Sequence, residues 1–309
     1  MSALSLTELP ERVKIVEMGP RDGLQNETNV VSTADKVRFI DLLSASGLAA
    51  IETTSFVRPS AIPQLDDAEA VMAAIARRPG VTYLALTPNT RGLDRARSAG
   101  MRAVAVFTAA SESFTKRNIN MTIYESLKTF ATVVRDARRE GMWVRAYVST
   151  AFGCPYEGDV SVEAVVRVAS ALAELGVDEI SIGDTIGVAT PRDVVEVAGA
   201  LQAHMPVERL AMHFHDTRGT ALANVVAALQ MKISIFDSSA GGLGGCPYAP
   251  GATGNLATED LLYMLDGMGI ETGVSLDGVR AASRFLAGAI GREPVSRAYR
   301  ALEAAAARA

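Results

Sequence analysis

The sequence of 309 residues has only three histidines and two cysteines. That excludes a disulfide-stapled scaffold or an array of zinc fingers, and it suits a reducing compartment. Positive charge is not in excess either. Thirty Lys and Arg stand against 35 Asp and Glu, a formal charge of -5, so the broad basic field needed for nucleic-acid binding is missing and any anion site must be local. No apolar run approaches the roughly 20 residues of a membrane helix. The opening stretch MSALSLTELPER lacks a basic n-region and a cleavage site, and no Arg-rich leader precedes Val13. The expectation is a cytoplasmic protein with neither a membrane nor a nucleic-acid partner.

What the chain does have is apolar material, 49% of it against 21% charged, enough for a large core and too little charge for disorder. Short β-rich runs recur at Val13 to Met18, Ala50 to Phe56, Thr82 to Thr87, Ala103 to Thr108, Trp143 to Ser149, Glu179 to Gly183, Leu210 to His215 and Ile233 to Ser238. Eight is the strand number of a closed parallel barrel. Between them lie amphipathic stretches with helix punctuation. Ser32 stands at capping-box spacing from Asp35, ahead of Val37, Ile40 and Leu43 and a stop at Gly47. Ser161 opens a helix whose Val165, Val168, Leu172 and Leu175 share a face, and Thr190, Pro191 and Asp193 open another. A doubly wound open sheet is the competing architecture, but it carries a glycine fingerprint after its first strand, and Met18-Gly19-Pro20-Arg21-Asp22-Gly23 is not one. The reading is therefore α/β, a (β/α)8 TIM barrel, with one domain over 1–309. The barrel runs from about 13 to 273 and helical stretches at Leu276 to Ile290 and Pro294 to Arg308 extend it.

His213 and His215 stand two apart late in the seventh run, so their side chains leave one face at the C-terminal mouth, where barrel active sites lie. They suit a shared metal, the alternative being a hydrogen-bonded core pair. His204, beside Met205 and Pro206, reads as surface. Arg21 and Asp22 follow the first strand and offer a cation beside a hard oxygen ligand. Glu52 at the end of the second run and Asp184 at the end of the sixth are carboxylates at the same mouth, with loop capping as the other reading.

With these residues, the blocks VKIVEMGPRDGLQNE, IETTSFV, FTKRNIN, GCPYEG, ISIGDTIGV, HFHDT, ALANV and GLGGCPYAPGATGNLATEDL resemble the 3-hydroxy-3-methylglutaryl-CoA lyase family. That family sits within the DRE-TIM metallolyase superfamily of metal-dependent barrels, which also contains isopropylmalate and citramalate synthases. The likeness runs from about Val13 to Gly273. The synthases approach their Arg-Asp-Gly through Asp-x-Thr-Leu and lack the GGCPYAPG loop, so the condensing branch is the runner-up and a non-catalytic acyl-CoA-binding barrel the third reading.

The resemblance implies cleavage of 3-hydroxy-3-methylglutaryl-CoA to acetyl-CoA and acetoacetate, as in leucine catabolism. It implies a divalent metal held by Asp22, His213, His215 and Asn255, with Arg21 at the substrate carbonyl and Cys246 on a mobile loop over the site as the proton donor. Such a donor set suits Mg2+ or Mn2+, and two histidines with a carboxylate also describe a non-haem iron centre. Asn255 reads equally as a helix N-cap. Four glycines from Gly241 to Gly245 suggest a free-moving lid, and Cys154 reads as structural. Glu52 is expected to orient Arg21, and Asp184 to bond a ligating histidine or assist proton transfer. Lys116, Arg117 and Asn118 are candidates for coenzyme A contacts, with a charged solvated loop as the other reading. Gly291 and Glu293 stand where relatives carry basic or amide residues, and Thr28 where some carry Lys. A homodimer is the family expectation.

Overall fold

The structure, a computed structural model, describes residues 8–245 and 254–308. Eight parallel strands close in chain order: β1 (Lys14–Glu17), β2 (Ala50–Ser55), β3 (Thr82–Leu86), β4 (Ala103–Ala109), β5 (Trp143–Ser149), β6 (Glu179–Asp184), β7 (Leu210–Phe214) and β8 (Ile235–Ser238), the last pairing with β1. Around them run α1 (Thr33–Ala45), α2 (Ala68–Ala74), α3 (Thr90–Ser98), α4 (Glu112–Ile119), α5 (Ile123–Arg139), α6 (Val162–Glu174), α7 (Pro191–Gln202), α8 (Ala221–Gln230) and α9 (Thr258–Gly267), with α10 (Leu276–Ile290) and α11 (Arg297–Ala306) as the C-terminal extension. The (β/α)8 barrel expected from the strand rhythm is what the chain forms. Among the described residues no helix is long and apolar enough to cross a membrane.

The predicted helix starts carry the bonds that justify them. Ser32 Oγ accepts the Asp35 N–H at 3.1 Å, Ser161 Oγ accepts that of Ala164 at 3.2 Å, and Asp193 Oδ2 accepts the Thr190 N–H at 2.9 Å. Most strands start or end a residue or two away from the sequence reading, and some differences have a plain cause. Met18 leaves β1 because its carbonyl accepts the Gly23 N–H at 3.0 Å, which closes a five-residue turn. The last helix starts at Arg297 rather than Pro294, since Ser296 is the cap. FTKRNIN is no loop: Ser111 caps α4, and Asn120 ends it in the left-handed region.

Alternation along the strands divides the core in two. One side chain in two packs outward against the helices, with Ile15, Ile51, Val104, Val144 and Ile180 meeting residues such as Phe39, Leu43, Phe130 and Leu172 in the main cluster. The other set fills the barrel. Val16, Ala50, Leu84, Ala105 and Ala211 form a small apolar layer there. The interior also holds charge: Lys14 pairs with Glu179 at 2.8 Å, Glu179 with Arg145 at 2.8 Å, and Arg145 with Asp237 at 2.6 Å.

Candidate metal centre and active site

The turn after β1 carries the first two functional groups. Pro20 favours its start, and Gly23 passes close to Ser239 and Leu243, where a Cβ would come within 2.8 Å of Ser239 Oγ. Arg21 is thereby held at the mouth, buried, with its Nε 2.5 Å from Glu52 Oε2 and its Nη1 2.6 Å from Asp22 Oδ1. Its Nη2 takes part in neither pair. Glu52 lies mid-strand rather than at the end of β2, and an irregularity in the β2–β3 register between Glu52 and Thr54 follows it. Burial pushes the Glu52 carboxyl up, partly offset by Arg21. Burial opposes the Asp22 charge as well, yet Arg21 and the two histidines hold Asp22 well below the ordinary carboxylate range.

His213 and His215 leave β7 on its inner face with ring centroids 5.2 Å apart. Gly254 to Leu256 then docks against the end of β7. The Leu256 N–H donates to the Phe214 carbonyl at 3.0 Å, the Asp216 N–H to that of Gly254 at 3.0 Å, and a bridge pairs His215 with Asn255. Asn255 is therefore not the helix cap, since α9 starts three residues later, at Thr258, and has Ala257 in that place. Its Nδ2 donates to Asp22 Oδ2 at 2.9 Å and to the Leu243 carbonyl at 3.0 Å.

Ligating atoms of Asp22, His213 and His215 all lie within 4.8 Å of one another. Two buried atoms here, His215 Nδ1 and Asn255 Oδ1, have no hydrogen-bond partner among the described residues, a costly state that a cation in their midst would relieve. His215 is driven down to about 4 by burial and by neighbouring His213, so its ring is neutral at pH 7, as a ligand must be. One carboxylate, two imidazoles and an amide oxygen thus fit a divalent ion. All three clustered residues line a cavity of about 670 Å³ together with Arg21, Phe107 and Tyr147. Two guanidinium groups lie near the Tyr147 ring, Arg21 at 5.7 Å and Arg145 at 4.9 Å.

The family model described as HMGL-like matches residues 12–286. The chain belongs to the HMGL-like family. It is 52% identical over 288 residues to a hydroxymethylglutaryl-CoA lyase of Bacillus subtilis, covering 93% of this chain and 96% of that one. It superposes on the crystal structure of hydroxymethylglutaryl-CoA lyase from Pseudomonas aeruginosa with a TM-score of 0.94 at 50% identity, covering 96% and 99% of the two chains. An HMG-CoA lyase from Acinetobacter baumannii, solved in complex with coenzyme A and 3-methylmalate, matches with a TM-score of 0.90 at 37% identity over 94% of this chain and 95% of that one.

Other expected site residues fare differently. Asp184 ends β6 but does not bond a histidine. Strand parity sends it outward with Ile180 and Ile182, and its two oxygens accept the Val188 and Ala189 N–H groups at 2.9 and 3.0 Å. Burial raises it to about 6. The carboxylate that meets His213 is Asp237, 3.2 Å from Nδ1. In sequence Asp237 is one polar residue inside an apolar strand; its signal is an inward Asp on the neighbour of the HxH strand, where the two residues are in register. Asn118 and Arg117 line the cavity, with Arg117 lying 4.2 Å over the Tyr156 ring, whereas Lys116 is exposed and outside the lining. Cys246 lies outside the described residues. Cys154 is buried with Sγ 3.0 Å from Ser111 Oγ, and His204 is exposed, both as expected. Gly241 and Gly242 are buried, and the Gly241 N–H donates to Glu259 Oε2 at 2.8 Å. Gly244 has φ of +119°, and a Cβ there would come within 2.6 Å of Asn255 Nδ2, so this glycine allows close packing against the metal centre.

Proposed function

We propose that the protein is a divalent-metal-dependent carbon–carbon lyase that cleaves 3-hydroxy-3-methylglutaryl-CoA to acetyl-CoA and acetoacetate. The observation that carries this reading is the cluster of Asp22, His213 and His215, joined by Asn255, whose three clustered members open, beside Arg21, into one cavity. The family relationship supplies the substrate class. Asp22, His213, His215 and Asn255 are the residues that would hold the ion, and Mg2+ or Mn2+ suits their hard oxygens and neutral nitrogens. When bound, such an ion supplies Lewis acidity that makes a substrate hydroxyl easier to deprotonate and fixes its orientation.

This chain's own groups account for the rest. As the C3 hydroxyl gives its proton to a base at the mouth, Asp22 or a histidine, the electron pair of the breaking C2–C3 bond moves onto the thioester. C3 becomes the ketone of acetoacetate, and C2 becomes the methyl of acetyl-CoA once it takes up a proton. Arg21, fixed by Glu52 and Asp22, presents Nη2 to the thioester oxygen where enolate charge builds, and being held beforehand it needs no reorganisation. We assign Cys246 as the donor of the proton to C2. Asn118 and Arg117 at the cavity wall are assigned to the coenzyme A portion, and Lys116, outside the wall, is not. Asp184 is assigned to holding the turn after β6. A homodimer in the cytoplasm completes the reading, a two-fold dimer being the commonest assembly.

The test is acetoacetate formation by purified protein from 3-hydroxy-3-methylglutaryl-CoA and Mg2+. Activity should vanish after EDTA treatment and return with Mg2+ or Mn2+. Absence of product, or turnover indifferent to chelation, would refute it.

A further inference from the structure

We propose that Asp237 is a positioning residue for the metal centre: clamped by Arg145 and Ser181, it fixes the tautomer and ring orientation of His213 so that Nε2 faces the ion. This rests on the metal reading above and goes beyond it, because Asp237 lies outside the cavity lining and does not reach substrate. Its Oδ1 accepts Arg145 Nη2 at 2.6 Å; its Oδ2 accepts Ser181 Oγ at 2.8 Å and lies 3.2 Å from His213 Nδ1. The carboxylate has no freedom to turn. Arg145 is itself held, by Glu179 at 2.8 Å and by the Tyr147 hydroxyl at 3.1 Å, and its own side chain is fully buried. Asp237 therefore presents an acceptor, and only an acceptor, to Nδ1. The imidazole must keep its proton on Nδ1 to donate to it, which leaves the Nε2 lone pair for a metal. His213 and Asp237 are register neighbours on β7 and β8, so the two backbones fix the pair as firmly as the side chains do.

The same geometry makes Asp237→Asn an informative change. Arg145 Nη2 can only donate, so the new amide must turn its oxygen toward Arg145. Its NH2 then faces His213, where it needs a lone pair on Nδ1. The proton is forced onto Nε2, and the ring can no longer ligate from that atom. Almost nothing else changes in shape or volume.

The experiment is a Mn2+ titration of purified protein, read from the free-ion electron paramagnetic resonance signal, for wild type, Asp237→Asn, His213→Ala and the double variant. The expected result is a Kd raised 10- to 100-fold by Asp237→Asn, and no further rise when that change is added to His213→Ala, since Asp237 then has nothing to position. An unchanged Kd in Asp237→Asn, with wild type binding one ion, would overturn the proposal and leave the metal reading standing. A loss as large in the His213→Ala background as in wild type would overturn it too, by showing a general structural effect. If wild type binds no Mn2+, the metal reading fails and this inference with it. Should Asp237→Asn not fold, Ser181→Ala removes one arm of the clamp. It should raise Kd a few-fold only when His213 is present, and an unchanged Kd there counts against the proposal.

Discussion

Replacing Arg21 by Gln separates catalysis from folding at the barrel mouth. The guanidinium sits 2.5 Å from Glu52 and 2.6 Å from Asp22, and Glu52 is fully buried with its Oε1 already unpartnered. Removing one partner from a buried pair of this kind costs about 3–5 kcal/mol because an uncompensated charge stays behind. Glu52 recovers part of that by taking up a proton, the direction in which burial already pushes it. The catalytic loss is a separate quantity. A preorganised donor at a developing oxyanion contributes about 3–4 kcal/mol, so kcat should fall on the order of 100- to 1,000-fold.

The two effects come apart in Arg21→Gln with Glu52→Gln added. The second change removes the stranded carboxylate, so the denaturant midpoint should return most of the way to wild type while kcat stays at least about 100-fold down. Both are measured on the same protein, by urea unfolding and by acetoacetate release at saturating substrate and metal. If Arg21→Gln keeps turnover within tenfold of wild type, or if the double variant recovers it, Arg21 serves only to assemble the mouth and the enolate role is wrong.

Cys246→Ser should lower turnover while leaving Mn2+ affinity unchanged, and thiol reagents should inactivate the wild type; retained turnover together with indifference to those reagents would remove the cysteine from the mechanism. Gly244→Ala places a Cβ 2.6 Å from Asn255 Nδ2 at a φ of +119°, so it should cost about 1–3 kcal/mol in urea unfolding and weaken Mn2+ binding through the displaced Asn255. Burial raises Glu17 from 4.5 to about 7, so the folded chain keeps a proton that the unfolded chain releases. That stabilisation is complete below about pH 4.5 and is lost as pH rises to about 7, up to about 3 kcal/mol in all. The unfolding free energy of wild type minus that of Glu17→Gln should therefore fall between pH 5 and 8, and a flat difference would contradict the assignment.

Local regularities made most of the fold legible. Eight apolar runs gave eight strands because a strand buried on both faces is apolar along its length, and Ser32, Ser161 and Thr190 opened helices because each side chain or its partner closes a bond three residues away. The ligand set was legible for a related reason: a spacing of two on a strand guarantees a shared face, and parity is local. Parity read one strand further would also have excluded Asp184 as a partner of His213, since it faces the helices with Ile180 and Ile182. Contacts between distant parts of the chain were hidden. Arg145 and Asp237 are 92 positions apart, each a single polar residue in an apolar run, and only closure of the barrel brings them together. FTKRNIN looked like a loop because its charges face solvent, though the cap at Ser111 was there to be read.

Those hidden charges bear on why the barrel interior is built as it is. A run of ions from half-buried Lys14 through buried Glu179 and Arg145 to Asp237 is a poor way to stabilise a barrel, since well-packed apolar residues of similar volume are often neutral or better by about 1–4 kcal/mol. An apolar filling would do one thing worse. It would leave His213 Nδ1 facing hydrocarbon, with neither tautomer preferred and no partner to fix the ring plane. Each ion in the run instead sits against one of opposite charge, and the last acts on a ligand of the candidate metal centre. If the run served folding alone, nothing would require it to end at a metal-ligating histidine. The expected trade is a repacked Arg145 and Asp237 pair that unfolds at higher urea concentration while binding Mn2+ at least tenfold more weakly.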